Sequence, residues 1–68
     1  MMDGTPTFTK TIVGGRELVR CVWSHEGMSA AGAARIDSRG EADARVRAQA
    51  QAQALFRGAV LAAMMEGF

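Results

Sequence analysis

Residues 7–36 read TFTKTIV-GG-RELVRCVWSH-EG-MSAAGAARI, and the two dipeptides that interrupt this stretch decide how the chain folds. Residues 7–13 are rich in β-branched side chains, which suit a pleated strand. Gly14-Gly15 follows at once. Both positions can take positive φ, as tight two-residue hairpin turns require. Residues 17–25 then read as a second strand, Glu26-Gly27 as a second turn and residues 28–36 as a third strand. Alanine and glycine form strands weakly, so residues 29–36 also suit a short capped helix.

Two turns at these positions fix a register. Val13 falls opposite Arg16, Phe8 opposite Cys21, Trp23 opposite Ala30 and Cys21 opposite Gly32. Directly opposed residues share a face. One face then collects Phe8, Ile12, Val19, Cys21, Trp23, Met28, Ala30, Gly32, Ala34 and Ile36. The other carries Thr7, Thr9, Thr11, Leu18, Arg20, Val22, Ser24, Ser29, Ala33 and Arg35. A slip of one residue would scramble this division, so turn chemistry and hydrophobic pattern support the same meander. Ala30, Gly32 and Ala34 would let a helix lie close on the apolar face.

That helix comes next. Residues 39–66 lack proline, and Ser38 with Glu41 matches a capping box. Asp37, Glu41 and Asp43 complement the positive end of the helix dipole. Gly67 sits where a helix stop belongs. At 100° per residue, Val46, Phe56, Val60, Leu61 and Met64 group on one side. Ala44, Ala48, Ala52, Leu55, Ala59 and Ala62 form a second, smaller stripe on nearly the opposite side. Covering one sheet needs one stripe, so the small-residue row is expected to meet a second copy of the chain. Gln49 and Gln53 fall near Val46, at the rim of the large stripe. About 26 helical residues span roughly 39 Å, against roughly 26 Å for an eight-residue strand. The helix should overhang its sheet, unless it curls over the sheet edge or bends near Gly58.

Size argues in the same direction. A chain of 68 residues buries only about 60% of its unfolded surface, so a lone core is marginal. Cys21 is the single cysteine, which excludes an intrachain disulfide and a thiolate zinc cluster. Oligomerisation is the remaining device. Residues 7–68 are expected to form one domain after a disordered lead, residues 1–6. No apolar run approaches the roughly 20 residues of a membrane span. Residues 1–6 lack the pattern of a signal peptide, so a cytoplasmic setting with a reduced thiol is expected.

The charge is nearly balanced, with eight basic and seven acidic residues. That is neither a nucleic-acid tail nor a polybasic membrane anchor. Cys21 and His25 share a strand face but stand roughly 13 Å apart, too far for a thiolate–imidazole couple. Cys21 reads as core and His25 as a solvated turn tip. Gly14-Gly15 lacks the surroundings of a phosphate loop. No catalytic residue, metal-ligand set or cofactor site is expected. Arg20, Arg35, Arg45, Arg47 and Arg57 are the candidates for contact with a partner. Sheets that read single strands normally carry aromatics on the binding face, whereas Phe8 and Trp23 fall on the inner one.

The order strand–strand–strand–helix loosely resembles several small bacterial and phage domains, including the HicB-type antitoxin half-domain. The likeness is one of topology, since the third strand has no proline–aspartate–leucine stretch. A compact, alanine-rich chain of this kind also looks like a phage or mobile-element accessory protein. Some of those inhibit host complexes such as CRISPR effectors by steric blocking. The expectation is therefore an α+β domain, a three-stranded antiparallel meander followed by one long C-terminal helix. It would be a non-catalytic protein-binding module that self-associates through that helix. The alternative is a nucleic-acid-binding accessory protein using its arginines.

Overall fold

Both turns form where the dipeptides place them. The computed structural model describes residues 4–66. It contains β1 (Thr5–Val13), β2 (Arg16–His25), β3 (Met28–Arg35) and α1 (Glu41–Glu66). The sheet is an antiparallel meander of order β1-β2-β3. Phe8 lies opposite Cys21 and Val13 opposite Arg16, while Trp23 faces Ala30 and Cys21 faces Gly32. The turn residues hold positive φ, with Gly14 at 59° and Gly15 at 77°. Glu26 at 49° and Gly27 at 80° repeat the pattern, so a non-glycine residue accepts the left-handed region in the second turn.

Four element ends differ from the sequence reading, with β2 beginning one residue earlier at Arg16 and β3 ending one residue earlier at Arg35. The lead is shorter, because Thr5 and Pro6 already belong to β1. Residues 1–3 and the expected stop at Gly67 lie outside the described residues. At the helix start Ser38 is not the cap. Ala44 N–H donates to the Gly40 carbonyl at 3.3 Å, which makes Gly40 the N-cap residue. Asp37 braces the connecting loop instead, accepting from the Arg39 backbone N–H at 2.9 Å.

The main correction concerns which face of α1 meets the sheet. Ala44, Ala48 and Ala52 are fully buried and Phe56 nearly so. They form the sheet-facing row, against Val19, Cys21, Trp23 and Ala34. Val46, expected on the covered side, is 67% exposed. The reason lies in β3. A Cβ added to Gly32 would stand 2.5 Å from the Ala48 carbonyl oxygen and 2.7 Å from the Ala52 nitrogen. The helix backbone rests almost directly on the strand backbone, and only alanines fit beneath it. Close approach also explains why residues 28–35 are a strand despite weak propensity, since packing outweighs it.

The helix lies against β2 and β3. β1 is left at the margin, so Ile12, on the helix side of the sheet, is 69% exposed. Trp23 closes the end of the core near Gly4, where any Cβ would collide with the indole.

Candidate interaction surfaces

Four surfaces follow from this packing. The first is the outer end of α1. The molecule measures 45 × 24 × 17 Å, its length set by a helix that outruns the sheet. Phe56 is the last buried helix residue and Val60 the last packed against the core. From Gly58 to Met65 no residue is charged. Leu55, Leu61, Met64 and Met65 are all more than half exposed. Ala59 and Ala62 are exposed between them. Of the six small-stripe residues expected to self-associate, Ala44, Ala48 and Ala52 are therefore sealed inside this chain. Leu55, Ala59 and Ala62 remain available, joined by Leu61, Met64 and Met65.

The second surface is the charged start of α1, and it is largely satisfied internally. Arg47 Nε donates to Asp43 Oδ2 at 2.7 Å, and its Nη2 donates to the Arg35 carbonyl at 2.8 Å. Arg45 pairs with Glu41 at 3.2 Å and stands 5.6 Å from the Phe8 ring centroid. Lys10 pairs with Glu17 and Glu41 at 3.2 Å each, and these hydrogen bonds raise its pKa. The Arg39 guanidinium and backbone N–H hold the Asp37 carboxyl far below the usual carboxylate range. Arg45 and Arg47, two of the expected partner contacts, are thus committed to bracing the helix.

The third surface is the sheet face away from α1. Threonines of β1 alternate there with Arg16, Arg20 and Arg35, and Leu18 and Val22 are half-buried between them. Among the described residues these three arginines form no ion pair, and neither does Arg57. The register places no carboxylate on this face. Arg16 was missed in the sequence because it flanks the turn, although the same parity rule locates it.

The fourth surface is the pair of sheet edges, and they differ. In a two-residue hairpin the residues flanking the turn form a hydrogen-bonded pair, and pairs then alternate along the ladder. On β3 the N–H and C=O groups of Ser29, Ala31, Ala33 and Arg35 therefore point outward. The helix covers two of them. Gln51 Oε1 accepts from Ala33 N–H at 2.8 Å, and Arg47 takes the Arg35 carbonyl at 2.8 Å. The expected rim glutamines, Gln49 and Gln53, are half-buried, while Gln51 makes the specific contact. On β1 the outward groups belong to Phe8, Lys10 and Ile12. No backbone or side-chain partner meets them among the described residues.

The remaining chemistry is sparse. Cys21 is fully buried, and desolvation raises its pKa. His25 is less solvated than expected, packing edge-on against Phe56 with ring centroids 6.5 Å apart. It borders an open hollow at the β2–β3 turn with Gly4, Ser24, Glu26 and Met28. Among the described residues no group of three His, Cys, Asp or Glu side chains could hold a metal ion. Among the described residues no helix is long and apolar enough to cross a membrane. No protein-family model, curated protein or solved structure matches the chain.

Proposed function

We propose that this chain is a non-catalytic protein-binding module that self-associates through the outer end of α1. One observation carries the reading: the segment from Gly58 to Met65 is free of charge, and its large side chains beyond Val60 are exposed. A helix apolar on every side is at home only when buried. Methionine and leucine at its tip suit an adaptable contact, since unbranched thioethers repack easily. Small residues at Ala59 and Ala62 let two helices approach closely. Function would be steric, with the assembled module covering a site on a larger complex.

Light scattering coupled to size-exclusion chromatography tests the reading on wild type and Ala59→Glu. Ala59 is exposed, so the new carboxylate leaves the monomer core intact. The mass should fall in the variant. An unchanged mass, or a wild-type monomer, refutes self-association through the helix.

A second reading, a nucleic-acid-binding accessory protein, has its own support in Arg16, Arg20 and Arg35 on a face without carboxylates. Its affinity for single strands would fall with salt at a slope of about −0.7 per phosphate contact. Arg20→Ala would reduce that slope by about one contact. Salt-insensitive capture of a protein complex favours the first reading.

A further inference from the structure

We propose that β1 is the seam of a two-fold dimer, its free edge pairing antiparallel with β1 of a second copy in a register centred on Thr9. This contact is separate from the helix end and does not depend on it. The argument begins with the asymmetry of the edges. Gln51 and Arg47 occupy two of the outward groups of the β3 edge, the Ala33 N–H and the Arg35 carbonyl. The nine-residue β1 edge carries no such cover among the described residues. Long uncovered edges are templates for another strand. Among the described residues the β1 edge has none of its outward groups occupied, and pairing it with its own copy about a two-fold closes the contact.

The side chains select the register. Outward-pointing backbone groups sit at even positions, from Pro6 to Ile12. Centring on Lys10 would set two ammonium groups side by side, which is unfavourable. Centring on Phe8 would shorten the overlap. Centring on Thr9 overlaps the whole strand, from Thr5 to Val13, with its copy. Lys10 then faces Phe8 of the copy, and its charge is already matched by Glu17 and Glu41. Ile12, more than half exposed, gains Pro6 of the copy as an apolar neighbour. On the opposite face Thr9 meets Thr9 and Thr7 meets Thr11, and threonine pairs favour strand association. Pro6 fits as well. Its missing N–H would point to the open edge, where its absence leaves the β1–β2 ladder whole.

The two faces also join. Six strands would run continuously, and the arginines of both copies would share one outer surface. The helices would stand on the other side, roughly 19 Å apart at four strand spacings, too far to touch.

Cysteine cross-linking tests the seam. Thr9 would sit in a non-hydrogen-bonded pair across the axis, with Cα atoms about 4.5 Å apart. That separation accepts a disulfide, which needs about 4.4–6.8 Å. Thr7 and Thr11 would each lie roughly 14 Å from their own counterparts. Thr7→Cys, Thr9→Cys and Thr11→Cys are placed singly in the Ala59→Glu chain, which removes the helix contact. Mild oxidation should convert Thr9→Cys to a covalent dimer, with the other two at least about tenfold slower. Buried Cys21 serves as the unreactive internal control. A Thr9→Cys chain that stays monomeric, three equal rates, or faster linkage at position 7 or 11 overturns the proposal. Thr9→Lys gives a second readout that needs no oxidation. It opposes two like charges at the axis, and light scattering should show the Ala59→Glu dimer halving in mass. A dimer that persists in Thr9→Lys also overturns it.

Discussion

Replacing Gly32 with alanine adds one methyl group and should remove about a third or more of the stability of the domain. Alanine is ordinarily the better strand residue, so local propensity predicts a small gain. Packing predicts the opposite. The new Cβ would stand 2.5 Å from the Ala48 oxygen, 2.7 Å from the Ala52 nitrogen and 2.9 Å from Gln51 Cβ. Ordinary contact begins near 3.4 Å. The nearest two atoms are helix backbone, which cannot rotate away as a side chain would. The helix must lift by about 1 Å, loosening Ala48 and Ala52 and stretching the 2.8 Å bond from Ala33 to Gln51. Overpacking of this kind costs about 1–3 kcal/mol, and contact with two backbone atoms places it at the upper end. At about 0.05–0.15 kcal/mol per residue the whole domain has roughly 3–10 kcal/mol. A loss of about 3 kcal/mol lowers Tm by about 12 °C or more in a domain of this size. Circular dichroism melts of wild type and Gly32→Ala at matched concentration measure it. Ala48→Gly should not rescue the variant, because the obstacle is the carbonyl and not the methyl. An unchanged or raised Tm in Gly32→Ala would refute the close approach of helix and strand.

Gly58 offers the reverse case. Nothing lies within 4 Å of a Cβ built there, so Gly58→Ala should gain about 0.5–1 kcal/mol from helix propensity alone, read as a higher urea midpoint. Gln51→Ala leaves the outward N–H of Ala33 without its acceptor. It should cost about 1 kcal/mol and speed hydrogen exchange at Ala33 selectively, whereas uniform exchange across β3 would count against the edge cap. Asp37 sets the acid response of the loop. Its folded pKa is depressed by Arg39, so its contribution is present above the unfolded value of about 3.9 and fades as pH falls below it. Asp37→Asn should flatten the decline of the urea midpoint between about pH 5 and pH 2, and an unaltered decline would remove Asp37 from that role.

Much of the fold is legible in residues 7–36. Gly14-Gly15 and Glu26-Gly27 are turn sites by backbone chemistry, and two turns leave only one register compatible with a single apolar face. Cys21, Val19 and Trp23 follow from parity, as does the absence of carboxylates around Arg20 and Arg35. The long helix is equally plain, since alanine, glutamine, arginine and leucine all favour it. Its overhang follows from length alone, because 26 residues at about 1.5 Å each outrun strands of eight to ten residues at about 3.3 Å each.

The sequence could not say which side of the helix faces inward. Hydrophobicity favoured the stripe of Val46, Phe56 and Val60, and it placed Ala44, Ala48 and Ala52 outside. Three-dimensional packing kept Phe56 and Val60 on the core, turned Val46 out and brought the three alanines in. Burial is usually worth more for valine than for alanine, but the depth of approach is a property of both partners. Gly32 on β3 removes the one side chain that would hold the helix away, and the alanine row then seats on the strand backbone. The same seating carries Gln51 and Arg47 to the β3 edge and leaves β1 uncovered. Backbone turn chemistry is local and can be read along the chain. Which surfaces are spent on the core, and which remain for partners, depends on contacts between residues far apart in sequence, and only the tertiary structure decides them.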